Sequence, residues 1–440
     1  MRDGGSATGA RPVCPRGGKI RRRILVAPGM SGALFGNPSY RRLWAASAIS
    51  NLGDGVSALA FPWLATLITR DPLLISAVAV ATRLPWFLLA LPAGVWTDRA
   101  DRRRLILRAD ALRCALTLGV VALILVMGPL PPERPAPWIA GLAALAFALG
   151  CAEVLRDNAA QTLLPSIVPR EMLERANGRL WTVEQVMGQF IGPPLAGVLI
   201  ALSVPAPFLL DAASFAVAAV LVGGMRIAPR APRARAPFRT ELAEGFAFMR
   251  AHPVVLRLAL MLGVLNAATY ATLVMIPLFA QEVLGLDATG LGLLMTATAA
   301  GGVAGGLLGP AVAARLGGQR SLMLALALWP VTNGLIALLP LWPVVAAAMF
   351  VSMAAGVLWN VVTVSYRQRV IPDALLGRVN AIYRFFGWGM MPLGALGAGL
   401  LVSGLEGALG REGALASVFW MASGVTAGLW LYGRARLRLG

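Results

Sequence analysis

Histidine, lysine, cysteine and charge are all scarce in this sequence of 440 residues. His252 is the only histidine, which excludes histidine-rich metal sites and Ser-His-Asp hydrolysis in its usual form. Lys19 is the only lysine, and Val13 stands where a Walker phosphate-binding loop needs glycine, so the chain has no such ATPase motif. The cysteines lack zinc-ligand spacing and argue against a disulfide framework; they are Cys14, Cys114 and Cys151.

Charged residues make up 13% of the chain and apolar residues 58%, with a mean hydropathy of +0.72. Soluble domains have about 25% charged and about 45–50% apolar residues, so a cytosolic enzyme and a disordered chain are both excluded. The net charge is +19, but the basic residues lie between apolar runs. This pattern favours contact with a membrane surface over binding of nucleic acid.

The apolar residues form twelve segments, each long enough to cross about 30 Å of hydrocarbon as a helix. The sequence therefore predicts an all-α integral membrane protein. The predicted segments are 42–68, 73–96, 105–127, 138–163, 178–202, 205–225, 254–283, 288–313, 319–340, 343–367, 378–404 and 411–433.

The basic residues predict the orientation of these segments. With the N-terminus inside, 33 of the 39 basic residues are cytoplasmic, and only Arg70, Arg134 and Arg411 are external. Cytoplasmic loops carry the excess of Arg and Lys, so we expect a multi-pass protein of the plasma (inner) membrane with both termini cytoplasmic. We expect a disordered cytoplasmic tail at 1–30, a six-helix bundle at 31–225, a cytoplasmic middle loop with an amphipathic helix at 226–253, a second bundle at 254–433 and a cytoplasmic tail at 434–440.

An internal repeat supports two pseudo-symmetric halves. VPREMLERANGR after the fourth segment is similar to IPDALLGRVNAI after the tenth, at a constant offset of 203 residues. The matched pairs are Pro169 with Pro372, Leu173 with Leu376, Arg175 with Arg378, and Asn177 with Asn380.

The loop after the second segment reads GVWTDRADRRR, and it resembles the signature loop of the major facilitator superfamily. Segment number, duplicated halves and loop position agree with that superfamily over essentially the whole chain. Asp101 replaces a glycine that is usual there. The resemblance implies a cytoplasmic gate in which Asp98 and Arg102 form a charge cluster with Asp157; alternatively, the arginines only set the topology. The matching gate residues are Gly94, Asp98, Arg99, Arg102, Arg103 and Asp157.

The fifth segment contains MGQFIGPPLAG, whose small residues allow close helix contact and whose prolines bend a helix. It resembles the motif C of exporters and proton antiporters in the same superfamily; ordinary helix packing is the alternative explanation. Together with RANGR, LGRVN and NLGDGVSALAFPWLA, it resembles the enterobactin-exporter and macrolide-efflux branch. The motif residues are Gly188, Gly192, Pro193, Pro194 and Gly197.

Ionisable residues inside the segments are the strongest functional signal, because each costs about 2.5–3.5 kcal/mol near the bilayer centre. Asp54 and Arg83 lie at similar depths in the first and second segments and are expected to be able to pair. Glu153 is the next candidate for coupling to protons or substrate. A structural ion pair is the alternative in each case, and it is favoured for Asp110 with Arg113; Asp211 is expected at the membrane interface.

These features predict a secondary active transporter, proton-coupled and exporting a small amphipathic compound such as a drug, macrolide or siderophore by alternating access. An importer of the same fold, an integral-membrane enzyme and a non-transporting sensor are the alternatives. We expect no cofactor, no metal and no nucleic-acid partner, and a monomer in the bilayer.

The predicted topology can be tested with single cysteines in a variant without the native ones. Cysteines placed in the 226–253 loop and at both termini should react only from the cytoplasmic side, because the basic residues divide 33 to 3. A cysteine at Arg134 should react only from outside. Labelling at Arg134 from the cytoplasm alone would contradict the topology.

Overall fold

The computed structural model describes residues 34–99, 101–169, 172–225 and 238–438. The predicted tail at 1–30 lies outside the described residues.

Six long helices make up the first half of the chain. Asn37 caps the first of them by accepting hydrogen bonds from the amides of Ser39 and Tyr40, and Asp101 caps the third through the amide of Arg104. The fifth helix runs from Leu173–Glu184 through a π-helical stretch, Gln185–Ile191, into Gly192–Leu202. The helices are α1 (Pro38–Ile68), α2 (Pro72–Arg99), α3 (Arg102–Met127), α4 (Pro135–Leu163), α5 (the three pieces just given) and α6 (Ala206–Gly223).

The second half begins with a short helix and continues with long ones. Gly410, with φ of 69°, divides the last helix into two, because a positive φ does not continue a right-handed helix. The helices are α7 (Phe238–Ala251), α8 (Pro253–Glu282), α9 (Ala288–Leu316), α10 (Gly318–Leu338), α11 (Trp342–Val370), α12 (Asp373–Gly389) and α13 (Met391–Arg436).

Ten ranges within the described residues are long and apolar enough to cross a membrane. α1 is not among them, because Asn51 and Asp54 interrupt its apolar sequence. The last range, Arg378–Arg436, contains two spans separated at Gly410. With α1 added and that range divided, the helices confirm the predicted twelve-helix architecture.

Each half packs mainly within itself. In half one (α1–α6), α1 lies against α6, α2 against α4, and α3 against α4 and α6. In half two (α8–α13), α8 lies along α13, α9 along α11, and α10 against α11 and α13. Two helix pairs make most of the contact between the halves, α2 with α13 and α5 with α9.

The halves meet tightly at one end only. We call the end with Pro38 and Arg436 the terminal end and the end with Ile68 and Gly410 the distal end. Towards the distal end one apolar core includes residues of both halves, such as Phe61 of α1 and Phe279 of α8. Towards the terminal end each half has its own core, around Tyr40 in half one and Trp359 in half two. The described helices are therefore closed distally and separate at the terminal end.

Helix α7 falls in the predicted amphipathic stretch of the middle loop. Met249 is fully buried in the core of half two, and Glu244 forms an ion pair with Arg378 of α12. Phe246 stays exposed. One side of α7 thus covers α12, and it also presents apolar surface outward, as expected of a helix at a membrane surface.

A group of polar side chains joins the halves at the distal end. Glu282 of α8 pairs with Arg411 of α13 at 2.6 Å and with Arg70, which follows α1, at 3.7 Å. Arg411 also donates to the carbonyl of Arg70 at 2.5 Å and pairs with Glu406 at 3.1 Å. We call Arg70, Glu282, Glu406 and Arg411 the distal cluster. It links α1 of half one to α8 and α13 of half two.

The distal cluster should favour distal closure. Glu282→Gln removes the charge that Arg70 and Arg411 share, and a loss of about 1 kcal/mol changes the ratio of two conformations about fivefold. Spin labels at the exposed distal positions Leu202 and Leu341 should show a larger long-distance population. The neighbouring Glu412→Gln, which removes an exposed carboxylate outside the cluster, is the control. Equal distance distributions in both variants would contradict this role.

Candidate functional site

Charged side chains of three helices meet inside half one. Arg113 of α3 forms an ion pair with Asp54 of α1, which lies near the middle of that helix. Arg113 also lies 3.9 Å from Asp110, one turn earlier in α3. Arg156 of α4 lies 3.6 Å from the same Asp110 oxygen and 3.2 Å from Asp157. We call these five residues the charge network.

Exposure varies along the charge network. The side chains of Asp110 and Arg113 are 0% and 3% exposed, whereas those of Asp54 and Asp157 are 32% and 33% exposed. The network therefore has a buried middle and two accessible carboxylates. A change of charge at either outer carboxylate therefore acts on the buried Asp110 through the shared arginines.

The similar depth of Arg83 and Asp54 predicts that the two side chains are able to pair, but the structure does not pair them. The guanidinium group of Arg83 lies over the ring of Tyr270 of α8, 5.6 Å from the ring centroid, and within electrostatic range of Glu153. The reason is rotational position, since equal depth in two helices does not make two side chains face each other. Arg83 instead connects half one to half two.

Asp211 lies inside half one and not at the membrane interface, where its place in the sequence predicts it. It is 2% exposed, and its carboxylate accepts a hydrogen bond from Ser57 of α1 at 2.5 Å. A Cβ atom on Gly53 would lie 3.0 Å from Cβ of Ser214 and closer still to its hydroxyl. Glycine at position 53 therefore lets α1 approach α6 closely enough to bring Asp211 beside Ser57.

The helix-5 motif packs closely against other helices on two of its faces. A Cβ atom on Gly192 would lie 2.7 Å from Cα of Gly55, so α5 and α1 touch through their backbones. Gly188 lies in the π-helical stretch at the same crossing. On the other face, a Cβ atom on Gly197 would lie 2.7 Å from the carbonyl oxygen of Ala288 in α9.

The two prolines complete the second face. A Cβ atom on Gly292 would lie 3.1 Å from the Pro193 carbonyl oxygen and 3.3 Å from Cα of Pro194. The motif therefore makes close helix contacts both inside half one and across to half two.

The predicted gate is only partly described. Gly94, Asp98 and Arg99 lie in the last turns of α2, and the side chains of Asp98 and Arg99 lie outside the described residues. Arg103 donates to the carbonyl of Gly223 at the end of α6, and Asp157 accepts from Arg156. The cluster of Asp98, Arg102 and Asp157 stays a prediction.

Aromatic side chains connect α2 with α12 across the two halves. Trp86 and Trp388 meet edge to face with ring centroids 4.8 Å apart, and Phe87 stacks on Phe385 at 5.2 Å. Gly389 makes room for Phe87, because a Cβ atom there would lie 2.7 Å from its ring. These rings lie between the distal core and the open terminal end.

The described residues contain no group of three or more His, Cys, Asp or Glu that could hold a metal ion. What they hold is a chain of alternating carboxylates and guanidinium groups between membrane helices, beside a division between two helix bundles. These features define a polytopic membrane protein with two helical halves and internal charges.

Comparison with known families agrees with this class. A model of the transmembrane secretion effector family matches residues 31–428. The chain belongs to this family of major facilitator superfamily transporters and is a transporter rather than an enzyme.

Relatives with known roles include the enterobactin exporter EntS of Shigella boydii serotype 4. It is 28% identical over 353 residues, which cover 79% of this chain and 81% of that protein. EntS of Escherichia coli O127:H6 is 26% identical over 350 residues with the same coverage, 79% and 81%.

Solved transporter structures share the fold. A bacterial homologue of the iron transporter ferroportin in its inward-facing state has a TM-score of 0.69 at 18% identity, covering 89% of this chain and 98% of that one. Its outward-facing state has a TM-score of 0.58 at 18% identity, with coverage of 90% and 100%. The nucleoside transporter NupG has a TM-score of 0.65 at 13% identity, with coverage of 90% and 98%.

The charge network should also stabilise half one. Arg113→Gln leaves Asp54 and Asp110 without their shared counterion, and breaking a buried pair from one side costs about 3 kcal/mol or more. We expect a clearly lower Tm in detergent, and partial recovery in the double variant Asp54→Asn with Arg113→Gln. Arg108→Gln, on an exposed face of the same helix, is the control. Equal Tm values for the Arg113 and Arg108 variants would contradict this role.

Proposed function

We propose that this protein is a proton-coupled exporter that moves a small amphipathic compound across the plasma membrane by alternating access. The observation that carries the proposal is the charge network, in which Asp54 is accessible while Arg113 behind it is buried. A buried guanidinium group must be balanced, so protonation of Asp54 changes the balance of every charge that Arg113 touches.

The separation of the halves supports alternating access. The helices are closed at the distal end by a shared core and the distal cluster, and each half keeps a separate core at the terminal end. The higher TM-score against the inward-facing ferroportin homologue agrees with this shape. With both termini cytoplasmic, as the basic residues predict, this shape supports the proposal of an inward-facing state.

Switching to an outward-facing state requires that the distal contacts break and new terminal contacts form. Asp98, Arg102 and Asp157 are proposed to supply the terminal contacts, as the loop motif implies. Asp157 belongs to the charge network through Arg156. This link gives a physical route by which a proton on Asp54 alters the gate, because both carboxylates share the arginine–Asp110 centre.

The helix-5 motif and the relatives favour export over import. The motif resembles the motif C of exporters, and the relatives compared above are named enterobactin exporters. A siderophore, macrolide or drug is therefore the proposed kind of substrate. Import by the same fold is the second candidate, and the direction of pH-driven transport separates the two. The protein is proposed to act as a monomer without a cofactor.

Asp54→Asn should abolish export driven by a pH gradient while downhill movement of substrate remains, because the neutral side chain no longer exchanges a proton. Transport by proteoliposomes with and without an imposed gradient measures both activities. Glu153→Gln is the comparison, because Glu153 of α4 lies within electrostatic range of Arg113 and Asp54 as well as of Arg83. If only Glu153→Gln loses gradient-driven transport, the coupling site lies on α4. If neither variant does, proton coupling through these residues is wrong.

A further inference from the structure

A cavity of about 480 Å³ lies in half two, mainly between α11 and α12. Its volume falls within the range of small-molecule sites, roughly 300–1,000 Å³. The polar and aromatic lining comes from two helix faces and includes Asn360, Arg367, Gln368, Asn380, Arg384 and Trp388. These residues recur at helical spacing on each helix, so the cavity is a property of both packed faces.

The cavity is positively charged. Arg367 and Arg384 line it, and none of its described lining residues is a carboxylate. Arg367 is 8% exposed and is held by neutral groups, donating to Asn380 and, at 3.3 Å, to the carbonyl of Thr363. Its guanidinium group also lies 3.8 Å from the ring centroid of Tyr383. Among the described residues, neither arginine has an acidic partner within 4 Å.

Neither the repeat nor the topology requires this charge. At the offset of 203 residues, Leu164 and Trp181 correspond to Arg367 and Arg384, so half one has no arginine at either equivalent position. Exposed arginines such as Arg369 already provide the excess of positive charge that sets the topology at the terminal end. A nearly buried guanidinium group without a carboxylate is costly, which favours a role in binding.

We propose that this cavity binds a carboxylate group of the transported substrate, so that the substrate is an amphipathic organic acid. The inference rests on the proposed transport function. The two guanidinium groups supply charge-assisted hydrogen bonds to the carboxylate, and Asn360 and Gln368 supply neutral polar contacts. The half-exposed ring of Trp388 offers an apolar face, and its contact with Trp86 of α2 places the ligand beside the junction of the two halves.

The test is equilibrium binding to the full-length protein in phosphatidylcholine nanodiscs with two probes of equal ring size, 2-naphthoate and 2-naphthylmethylammonium. The wild type should bind 2-naphthoate at least tenfold more tightly than the cation. Arg384→Gln should weaken binding of 2-naphthoate at least tenfold and leave binding of the cation within threefold. Arg369→Gln, the same change two residues from Arg367 on the opposite face of α11, should stay within twofold of the wild type.

Arg367→Lys keeps the charge but loses the planar fork, so it should weaken binding of 2-naphthoate less than Arg384→Gln does. Lysine is used at position 367 because a neutral residue at this buried position could prevent folding, and loss of binding would then have no clear cause. Equal affinity of the wild type for both probes, no measurable binding of 2-naphthoate, or an unchanged affinity in Arg384→Gln would each overturn the proposal.

Asp54→Asn separates this proposal from the transport function. In one outcome, Arg384→Gln weakens binding of 2-naphthoate in both the wild type and Asp54→Asn, but a pH gradient drives no transport by the wild type. That outcome would support the proposed binding site and contradict proton-coupled transport. In the other outcome, a pH gradient drives transport that Asp54→Asn abolishes, but Arg384→Gln leaves the affinity for 2-naphthoate unchanged. That outcome would contradict the proposed binding site and support proton-coupled transport.

Discussion

The structure of half one depends on the neutralisation of Arg113 inside the membrane. A guanidinium group that is 3% exposed needs carboxylates close by, and α1 and α3 supply Asp54 and Asp110. Because Arg113 must face Asp54 to form this pair, the pair fixes the rotation of α1 and α3 relative to each other. The glycines at 53 and 55 then allow α6 and α5 to approach α1 from its other sides. Charge pairing and close backbone packing thus determine one arrangement together.

Much of the fold could be predicted from the sequence because the bilayer imposes simple rules. Long apolar runs predicted the helices, and the contrast between α1 and its neighbours shows the limit of such rules, since Asn51 and Asp54 make α1 less apolar than a typical span. The offset of 203 residues predicted the two halves. The helix-5 motif predicted close contacts, although its two different partners, α1 and α9, depend on tertiary packing.

The candidate site was less predictable. The depth of Asp54 in its helix predicts a functional carboxylate and allows a pair with Arg83, whereas the structure pairs Asp54 with Arg113. The position of Asp211 early in its helix predicts a place at the interface, yet its contacts with Ser57 and the close approach at Gly53 put it inside half one. Which faces of two helices meet depends on side chains from a third helix, and a single sequence does not contain that geometry explicitly. The two arginines in the cavity of half two could not be distinguished from topological arginines for the same reason.

The backbone contacts of α5 have an evolutionary consequence. At Gly192 and Gly197 the neighbouring atoms belong to main chains, so no change of side chain nearby can make room for a larger residue. Substitutions at these two positions are therefore expected to be tolerated poorly, whereas Gln368 of α11 and Arg384 of α12 have free space beside them in the cavity. On the proposed function, a change of substrate is therefore expected to come from substitutions in the cavity of half two rather than in α5.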